Sequence, residues 1–375
     1  MTSKILKISD AYSFPSNSPE IGIEEKRVCK VIPATDTHKV VVLKPIIDKL
    51  RLTFSGLGVI QHIKNLQATE YWPHVYASAL SAGEADDLPY IKPCRIEGYW
   101  IGLRIEHDGS SVATLGLNPK NKKQASARLE LNPSQLTEEH LQKLFRAWKH
   151  LEGDTIPLAA HLTSARATRC DVAVDVLNLK ISDLFVHCPV VWKVWACTSM
   201  EGGVQTLNFY KAKKSQPVFV DPKSRSNVTV YDKRAERQAV GAEPEFGPLA
   251  HTRIEFNLNK TALFKGLKNT QFPAKGWVFS RTIFKKPPLP MGRWQQFLDS
   301  ARYRGFMAAQ ALLTKQELAA LEDAEESPDR TFKNLVDKSI WKHWPEAIEA
   351  PAIAQLLKFA AADPKEMIET TVFEL

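Results

Sequence analysis

Three short strings of residues between positions 169 and 257 combine the side chains that metal-assisted attack on a phosphodiester requires: carboxylates, arginines, lysines and a tyrosine. The strings are Arg169–Asp175, Val230–Arg237 and His251–Asn257. The first and the third alternate apolar and charged residues. This pattern predicts β-strands, because successive side chains of a strand point to opposite faces. The charged residues of each strand are therefore expected to share one sheet face.

The alternation divides each of these two strands into a charged face and an apolar face. The charged or polar positions are Asp171, Asp175, Arg253, Glu255 and Asn257. The apolar positions, which we expect to line a core, are Cys170, Val172, Val174, Ile254, Phe256 and Leu258.

In their order and rough spacing these strings resemble the replication initiation factor family, the rolling-circle initiators of many small plasmids and filamentous phages. The family's Arg-x-Asp-x-x-x-Asp strand is matched at Arg169–Asp175, its Tyr-Asp-Lys segment at Tyr231–Lys233 and its Arg-x-Glu strand at Arg253–Glu255. The resemblance is strongest over residues 165–265 and does not extend to the last third of the chain. It implies an enzyme that nicks and rejoins one DNA strand at an origin.

The resemblance also implies a tyrosine nucleophile, because a phenolate can attack phosphorus and leave again when the reaction reverses. Family members place this tyrosine shortly after a Gly-x-Thr strand and before a Gly-Ser-Arg loop. Here the region 203–215 lacks the Gly-Ser-Arg string, and we favour Tyr210 because a basic loop adjoins it. Tyr231 is the alternative nucleophile. Lys233 is a candidate to neutralise the scissile phosphate or to stabilise the phenolate.

Magnesium and manganese prefer oxygen ligands, which carboxylates on adjacent strands supply. Mg²⁺ or Mn²⁺ is therefore the expected cofactor, with Asp171, Asp175 and Glu255 as candidate ligands. An alternative stays open, in which these carboxylates form ordinary cross-strand ion pairs. Asp175 would then pair with Arg253, and Glu255 with Arg169.

A net charge of +8 and a pI near 9.1 favour a polyanionic partner, and the basic residues cluster between positions 210 and 237. A solvated lysine-rich loop is the alternative interpretation of this cluster. The other interpretation is a surface that follows DNA phosphates. The residues expected to contact DNA are Arg169, Lys211, Lys213, Lys214, Lys223, Arg225, Arg234, Arg237 and Arg253.

Several classes of protein are disfavoured by what the sequence lacks. Its five cysteines are an odd number and include no C-x-x-C pair, which argues against disulfides or a zinc site and for a reducing compartment. The N-terminus lacks the apolar segment of a signal peptide, and the apolar stretch 189–197 is too short to span a membrane. We therefore expect a cytoplasmic protein of a bacterial host cell that does not contact the membrane.

The resemblance also implies the partners. Origin DNA, as a single strand, a hairpin or a supercoiled duplex, is the expected substrate. No G-x-x-x-x-G-K-[S/T] loop occurs in the chain, so unwinding requires a host or plasmid helicase. The family resemblance implies a homodimer.

The length of 375 residues and the order of the motifs predict an α+β protein with mainly antiparallel sheets, built from two β-α-β-β-β units as a pseudo-repeat. The closing strands of the two copies read Arg-Leu-Glu-Leu-Asn and Arg-Ile-Glu-Phe-Asn. We assign residues 1–40 to a flexible N-terminal arm, 41–155 to the first α+β half, 156–285 to the second half with the catalytic motifs, and 291–375 to a helical C-terminal region.

Local signals predict several elements that position these motifs. Asp108-Gly109 is a favoured hairpin turn, and Thr137 is a good N-cap for a helix that continues to Gly153. Thr314–Glu317 reads as a capping box. Two further helices are expected, one over Val59–Ala68 and a short one after Ser182.

Overall fold

The fold combines helices with antiparallel sheets, which confirms the predicted α+β class. The computed structural model describes residues 4–10, 20–33, 39–55, 90–152, 158–187, 194–201, 204–211, 228–258, 262–271, 278–281, 289–304, 309–326 and 334–362.

Within these ranges the strands are β1 (Ile5–Ser9), β2 (Glu20–Glu24), β3 (Val28–Pro33), β4 (Lys39–Leu43), β5 (Ile46–Phe54), β6 (Tyr90–Pro93), β7 (Tyr99–His107), β8 (Ser110–Pro119), β9 (Ala127–Leu131), β10 (Arg166–Leu177), β11 (Leu184–His187), β12 (Val194–Glu201), β13 (Val204–Lys211), β14 (Val228–Asp232), β15 (His251–Leu258), β16 (Ala262–Leu263) and β17 (Val278–Arg281). The α-helices are α1 (Glu138–Glu152), α2 (Leu158–Thr163), α3 (Lys233–Ala239), α4 (Met291–Arg304), α5 (Lys315–Glu326), α6 (Trp344–Ile348) and α7 (Pro351–Ala361).

The chain divides into two compact units, and each unit is built from separated stretches of sequence. Unit one comprises Met1–Ile46, Val172–Asn257 and Phe272–Trp344. Unit two comprises Ile47–Asp171, Leu258–Gln271 and Pro345–Leu375. Neither unit is therefore one continuous stretch of the sequence. Strand β10 contributes residues to both units.

Unit two contains the strand order β10-β5-β9-β8-β7-β6. The hairpin between β7 and β8 turns at Asp108 and Gly109, whose φ angles of 49° and 74° are the positive values that this turn requires, so the predicted hairpin is confirmed. One face of the sheet is apolar and buried. Its residues include Leu50, Leu52, Ile101, Leu103, Leu115, Leu117 and Leu129.

Helix α1 contacts β7 and β8, and its predicted start is confirmed, because the hydroxyl of Thr137 accepts a hydrogen bond of 3.3 Å from the amide of His140. One face of the helix packs inward: Leu141, Leu144, Trp148 and Leu151 are buried, and Phe145 is partly buried. The end predicted at Gly153 and the helix predicted over Val59–Ala68 lie outside the described residues.

Unit one contains the strand order β12-β13-β14-β15-β10. The apolar faces predicted for β10 and β15 are confirmed by the burial of Cys170, Val172, Val174, Ile254 and Phe256. Phe256 packs edge-on against Phe279 of β17, with ring centroids 5.6 Å apart. After β10 the predicted short helix is replaced by a single 3₁₀ turn, Ile181–Asp183, which leads directly into β11.

The described parts of residues 1–40 form strands, where the sequence suggested a flexible arm. Strands β1 and β2 pair with each other, and Ile8 and Ile23 are buried in a cluster with Phe246 and Leu249. Asn178 fixes the position of this segment, because its side-chain amide donates to the carbonyls of Ser9 and Lys39 at 2.8 and 3.0 Å. The prolines in the segment obscured its alternating residues, which bury one face against partners far away in sequence.

The C-terminal region is helical, as predicted, but its residues belong to both units. The capping box at Thr314 and Glu317 is confirmed, with side-chain to backbone distances of 2.8 and 3.2 Å. Trp294 and Phe297 of α4 are buried in a core cluster with Leu321. Helix α7 contacts α2, and its Phe359 packs on Phe145 with centroids 4.9 Å apart.

Candidate functional site

The polar face of the unit-one sheet is assembled by strand register. In the ladder between β14 and β15, Tyr231 pairs with Arg253, and Thr229 pairs with Glu255. In the ladder between β13 and β14, Asn208 pairs with Thr229, and its amide oxygen lies 3.1 Å from the Thr229 hydroxyl. Side chains of paired residues lie on the same side of a sheet. Two of the three motifs identified in the sequence therefore meet on one face.

Tyr231 and Glu255 form the closest contact on this face. The phenolic hydroxyl of Tyr231 donates a hydrogen bond of 2.5 Å to Oε1 of Glu255. The two residues are diagonal neighbours across the ladder, which brings long side chains together. Both are half-buried, so the pair is reachable from solvent. A short hydrogen bond from a phenol to a carboxylate is the arrangement that general-base removal of the phenolic proton requires.

Lys233 lies beside this pair. Its ammonium nitrogen is 5.7 Å from the centroid of the Tyr231 ring and 2.8 Å from Oε2 of Glu236. The residue is only 8% exposed. The ammonium therefore lies over the face of the Tyr231 ring and is paired with a carboxylate of its own helix. The role predicted for Lys233, to neutralise the scissile phosphate or to stabilise the phenolate, stays a prediction.

Asp232, between these two residues, caps helix α3 and ends strand β14. Its carboxylate accepts a hydrogen bond of 2.9 Å from the amide of Ala235. The cap fixes the direction in which the chain leaves the sheet and so fixes Lys233 relative to Tyr231. The Tyr-Asp-Lys segment thus contains a structural residue between two residues that could do chemistry.

We expect Asp232→Ala to lower the free energy of unfolding by about 1 kcal/mol, because the amide of Ala235 loses its acceptor. Asp232→Asn is the matched control, since asparagine caps helices equally well, and it should unfold like the wild type. Chemical denaturation of the three proteins measures the difference. Equal losses in the alanine and asparagine variants would show that the negative charge, and not the cap, is what matters.

Asp175 is engaged by Arg253 through two hydrogen bonds, of 2.7 Å from Nε and 2.8 Å from Nη2. Nε2 of His251 lies 3.0 Å from the same carboxylate, and all three side chains are no more than 5% exposed. Burial alone would raise the pKa of Asp175, but the charges and hydrogen bonds of Arg253 and His251 lower it well below its usual range. The ion pair between Asp175 and Arg253 is the one that the alternative interpretation of the sequence specified.

Asp171 is paired within its own strand. Nε of Arg169 donates to Oδ1 of Asp171 at 2.9 Å, and the second nitrogen of the same guanidinium contacts Oδ2. Asp171 is 1% exposed, and burial raises its pKa although Arg169 opposes the shift. Arg169 therefore neutralises Asp171.

These contacts do not fit the predicted Mg²⁺ or Mn²⁺ ligand set. Both oxygens of Asp171 and of Asp175 are occupied by guanidinium groups, and Glu255 accepts from Tyr231. Among the described residues, no three histidine, cysteine, aspartate or glutamate side chains converge to hold a metal ion. The three carboxylates lie where the sequence placed them, on strands, but each has a different protein partner.

The remaining predicted site residues fall into two groups. For Tyr210 and Lys211 only the backbone is described: both lie at the end of β13, where Tyr210 pairs with Trp195 of β12. The basic residues outside the described part of the chain are Lys213, Lys214, Lys223 and Arg225.

The arginines expected to contact DNA differ in how far their side chains are buried and bound by other residues. Arg234 donates to the carbonyl of Pro248 at 2.5 Å, and Arg237 donates to the carbonyl of Glu243 at 3.3 Å. Both side chains are half-exposed and can still present charge to solvent. Arg253 cannot, because it is 4% exposed and its guanidinium is bound to Asp175. Its predicted role as a DNA contact is therefore replaced by a structural one.

His251 and Asn208 contribute to this face although the sequence analysis did not select them. His251 lies two residues before Arg253, so the same alternation that selected Arg253 could have placed it. Asn208 carries no comparable signal, because its proximity to Thr229 depends on how β13 pairs with β14.

Comparison with known proteins adds no family assignment: no protein-family model matches the chain, and no curated protein matches it. Among the described residues, no helix is both long and apolar enough to cross a membrane. What the fold and the site define is an α+β protein with a tyrosine–glutamate pair on the polar face of an antiparallel sheet.

Proposed function

We propose that this chain is a rolling-circle replication initiator that nicks and rejoins one DNA strand through a tyrosine–phosphodiester intermediate. The observation that carries the proposal is the 2.5 Å hydrogen bond from the Tyr231 hydroxyl to Glu255, beside the buried ammonium of Lys233. The resemblance of the motifs at Arg169–Asp175, Tyr231–Lys233 and Arg253–Glu255 to the replication initiation factor family supplies the reaction class.

In the proposed step the phenolic oxygen of Tyr231 forms a bond to phosphorus while the bond from phosphorus to the 3′ oxygen breaks. Glu255 takes the phenolic proton and passes it to water, and the departing 3′ oxygen takes up a proton from water and leaves as a hydroxyl. The 5′ end stays on Tyr231. Attack by a 3′ hydroxyl on the same phosphorus reverses the step and rejoins the strand.

Lys233 would stabilise the charge that develops during this transfer. Its ammonium is held by Glu236 at 2.8 Å and is mostly shielded from water, where a charge acts more strongly. Asp232 keeps it in place by capping α3. The positions of Arg234 and Arg237 on the same helix support a role in holding the DNA backbone, because both remain half-exposed.

We infer further that the two units are copies of one repeated unit, which has five strands where the predicted β-α-β-β-β unit has four. The support is the strand order: β10-β15-β14-β13-β12 in unit one corresponds to β5-β9-β8-β7-β6 in unit two. In this comparison the Arg-x-Glu strand β9, with Arg128 and Glu130, corresponds to β15, with Arg253 and Glu255.

The corresponding glutamates have different surroundings. Glu130 is bound by the guanidinium groups of Arg51 and Arg128. Burial alone would raise the pKa of Glu130, but these arginines lower it below its usual range. Glu255 has a tyrosine as its partner. A carboxylate held by two arginines is a poor base, which disfavours Glu130 of unit two as a proton acceptor.

The partners and location follow from the function that we propose. The substrate is origin DNA, as a single strand, a hairpin or a supercoiled duplex, and unwinding is supplied by a host or plasmid helicase. A homodimer would let one subunit open replication and the other end it. The reaction takes place in the cytoplasm of a bacterial host.

A second function, sequence- or structure-specific DNA binding without nicking, is favoured by one observation. Asp171 and Asp175, the aspartates of the predicted metal set, are each bound through both oxygens by an arginine. Such pairs suit a structural role. In that case the protein would share the sheet and the basic surface of the nicking enzymes but would not cut DNA.

The test incubates the protein with a supercoiled plasmid that carries the origin of its own replicon, with Mn²⁺ in one arm and with EDTA in the other. We expect a covalent protein–DNA adduct on denaturing gels, and mass spectrometry of the digested adduct should place the nucleotide on Tyr231. An adduct on Tyr210 would show that the nucleophile is the tyrosine of β13 and not Tyr231. Tight, salt-sensitive DNA binding with neither nick nor adduct would favour the non-catalytic function.

A further inference from the structure

Trp100 is an exposed aromatic residue on unit two. It lies near the start of β7, and 69% of its surface is accessible to solvent. By contrast, Trp148, Trp294 and Trp344 are at most 5% exposed. An exposed indole offers a flat apolar face on which another ring can stack.

One lysine lies over this ring, and two more lysines follow it in the same loop. The ammonium of Lys120 lies 5.0 Å from the centroid of Trp100, over its face. Lys122 and Lys123 follow within two and three residues, and all three side chains are exposed. None of them forms an ion pair with a residue in the described part of the chain. The patch therefore presents positive charge beside a flat apolar ring.

The loop that carries the lysines is held in one conformation by its own hydrogen bonds. The side chain of Asn121 accepts from the amide of Lys123 at 2.9 Å, and the carbonyl of Asn121 accepts from the amide of Gln124 at 2.9 Å. The amide of Lys120 donates to the carbonyl of Gly98, two residues before Trp100, at 2.9 Å. The backbone that carries the lysines is thus tied to the backbone beside Trp100 before any partner binds, so less backbone freedom is lost on binding.

A flat aromatic surface next to a row of lysines matches the chemistry of an unpaired nucleic-acid strand. Its bases stack on aromatic rings regardless of sequence, and its phosphates follow positive charge. A duplex fits less well, because its bases are already stacked on one another. An acidic peptide would satisfy the lysines but would leave the exposed face of the ring unused.

We propose that Trp100, Lys120, Lys122 and Lys123 form a binding site for single-stranded DNA in which a base stacks on Trp100 and the lysines hold the adjacent phosphates. The choice of DNA rests on the function proposed above, because nicking followed by unwinding releases a single strand that must be kept from re-pairing. The site itself is separate in sequence from Tyr231 and Glu255 and needs neither of them.

The test measures binding of a short fluorescein-labelled oligothymidylate to the full chain by fluorescence anisotropy. Trp100→Ala should weaken binding by roughly 5- to 150-fold, the range expected when one base no longer stacks. Trp100→Phe should keep most of the affinity. The triple variant Lys120→Gln, Lys122→Gln, Lys123→Gln should reduce the salt dependence, by about 0.7 in the log–log slope for each phosphate that a lysine no longer neutralises.

The matched control is the pair Lys265→Gln and Lys268→Gln, which removes exposed lysines elsewhere on unit two and should leave binding unchanged. If Trp100→Ala bound the oligonucleotide as tightly as the wild type, the proposed site would be wrong. It would also be wrong if the control variant lost as much affinity as the lysine triple variant. A wild-type protein that forms no adduct on the origin plasmid, yet binds the oligonucleotide in a Trp100-dependent way, would sink the nicking proposal and support this one.

Discussion

Arg253→Ala is expected to destabilise unit one by about 3–5 kcal/mol, since it leaves the buried carboxylate of Asp175 without its main partner. Both side chains are no more than 5% exposed, and the pair is joined by two hydrogen bonds of 2.7 and 2.8 Å. A buried charge that loses its counter-charge must be protonated or hydrated, and either change disturbs the sheet around it. Chemical denaturation of the two proteins measures the loss.

Arg293→Ala provides the matched control. Arg293 also donates two hydrogen bonds to one carboxylate, from Nε to Oε1 of Glu317 at 2.7 Å and from Nη2 to Oε2 at 3.2 Å. This pair, however, lies at the surface. Surface pairs are screened by water, so the same substitution there should cost much less. Similar losses at the two positions would contradict the claim that burial makes the Asp175–Arg253 pair important.

The pH dependence of stability gives a second readout of the same pair. Because the folded-state pKa of Asp175 lies well below its usual range, its ionised form favours the folded state. That contribution is complete above the unfolded pKa of about 3.9 and is lost as the pH falls below it. The free energy of unfolding of the wild type should therefore decrease below about pH 4. In Arg253→Ala, the part of this decrease that comes from Asp175 should be smaller.

The strands of the site could be predicted from sequence because their periodicity is local. Alternation placed Cys170, Val172 and Val174 on a buried face, and it placed Arg253 and Glu255 together on the other face. The hairpin at Asp108-Gly109 and the cap at Thr137 were predictable for the same reason, since each depends on a few adjacent residues.

The sequence named Arg253 as a possible partner of Asp175 but could not decide between this ion pair and a metal site, because the partners of charged residues depend on strand order and register. Nothing near Asp175 in sequence shows that β15 lies beside β10 and brings Arg253 to it. The N-terminal strands were missed for a related reason: Ile8 and Ile23 are buried only because Phe246 and Leu249 cover them. A pattern of carboxylates is thus compatible with either a metal site or a set of ion pairs until the register is known.

Tyr231→Phe is expected to abolish the covalent adduct, because phenylalanine keeps the ring in the sheet but has no oxygen to attack phosphorus. Glu255→Gln should lower the nicking rate by about 10²- to 10⁴-fold, the usual contribution of a general base. Glutamine can still accept the hydrogen bond that Tyr231 now donates at 2.5 Å, so the fold and the ring position should survive. Single-turnover nicking of the origin plasmid measures both rates.

Glu130→Gln is the control that separates chemistry from structure. Glu130 occupies the corresponding strand position in unit two but is held by Arg51 and Arg128, so its loss should lower stability and leave the nicking rate unchanged. A base at Glu255 also predicts that the wild-type rate falls at acid pH as the carboxylate is protonated, and that this fall disappears in Glu255→Gln. If Glu130→Gln and Glu255→Gln slowed nicking equally, the glutamates would be structural in both units, and the proton acceptor for Tyr231 would have to be another group on the same sheet face.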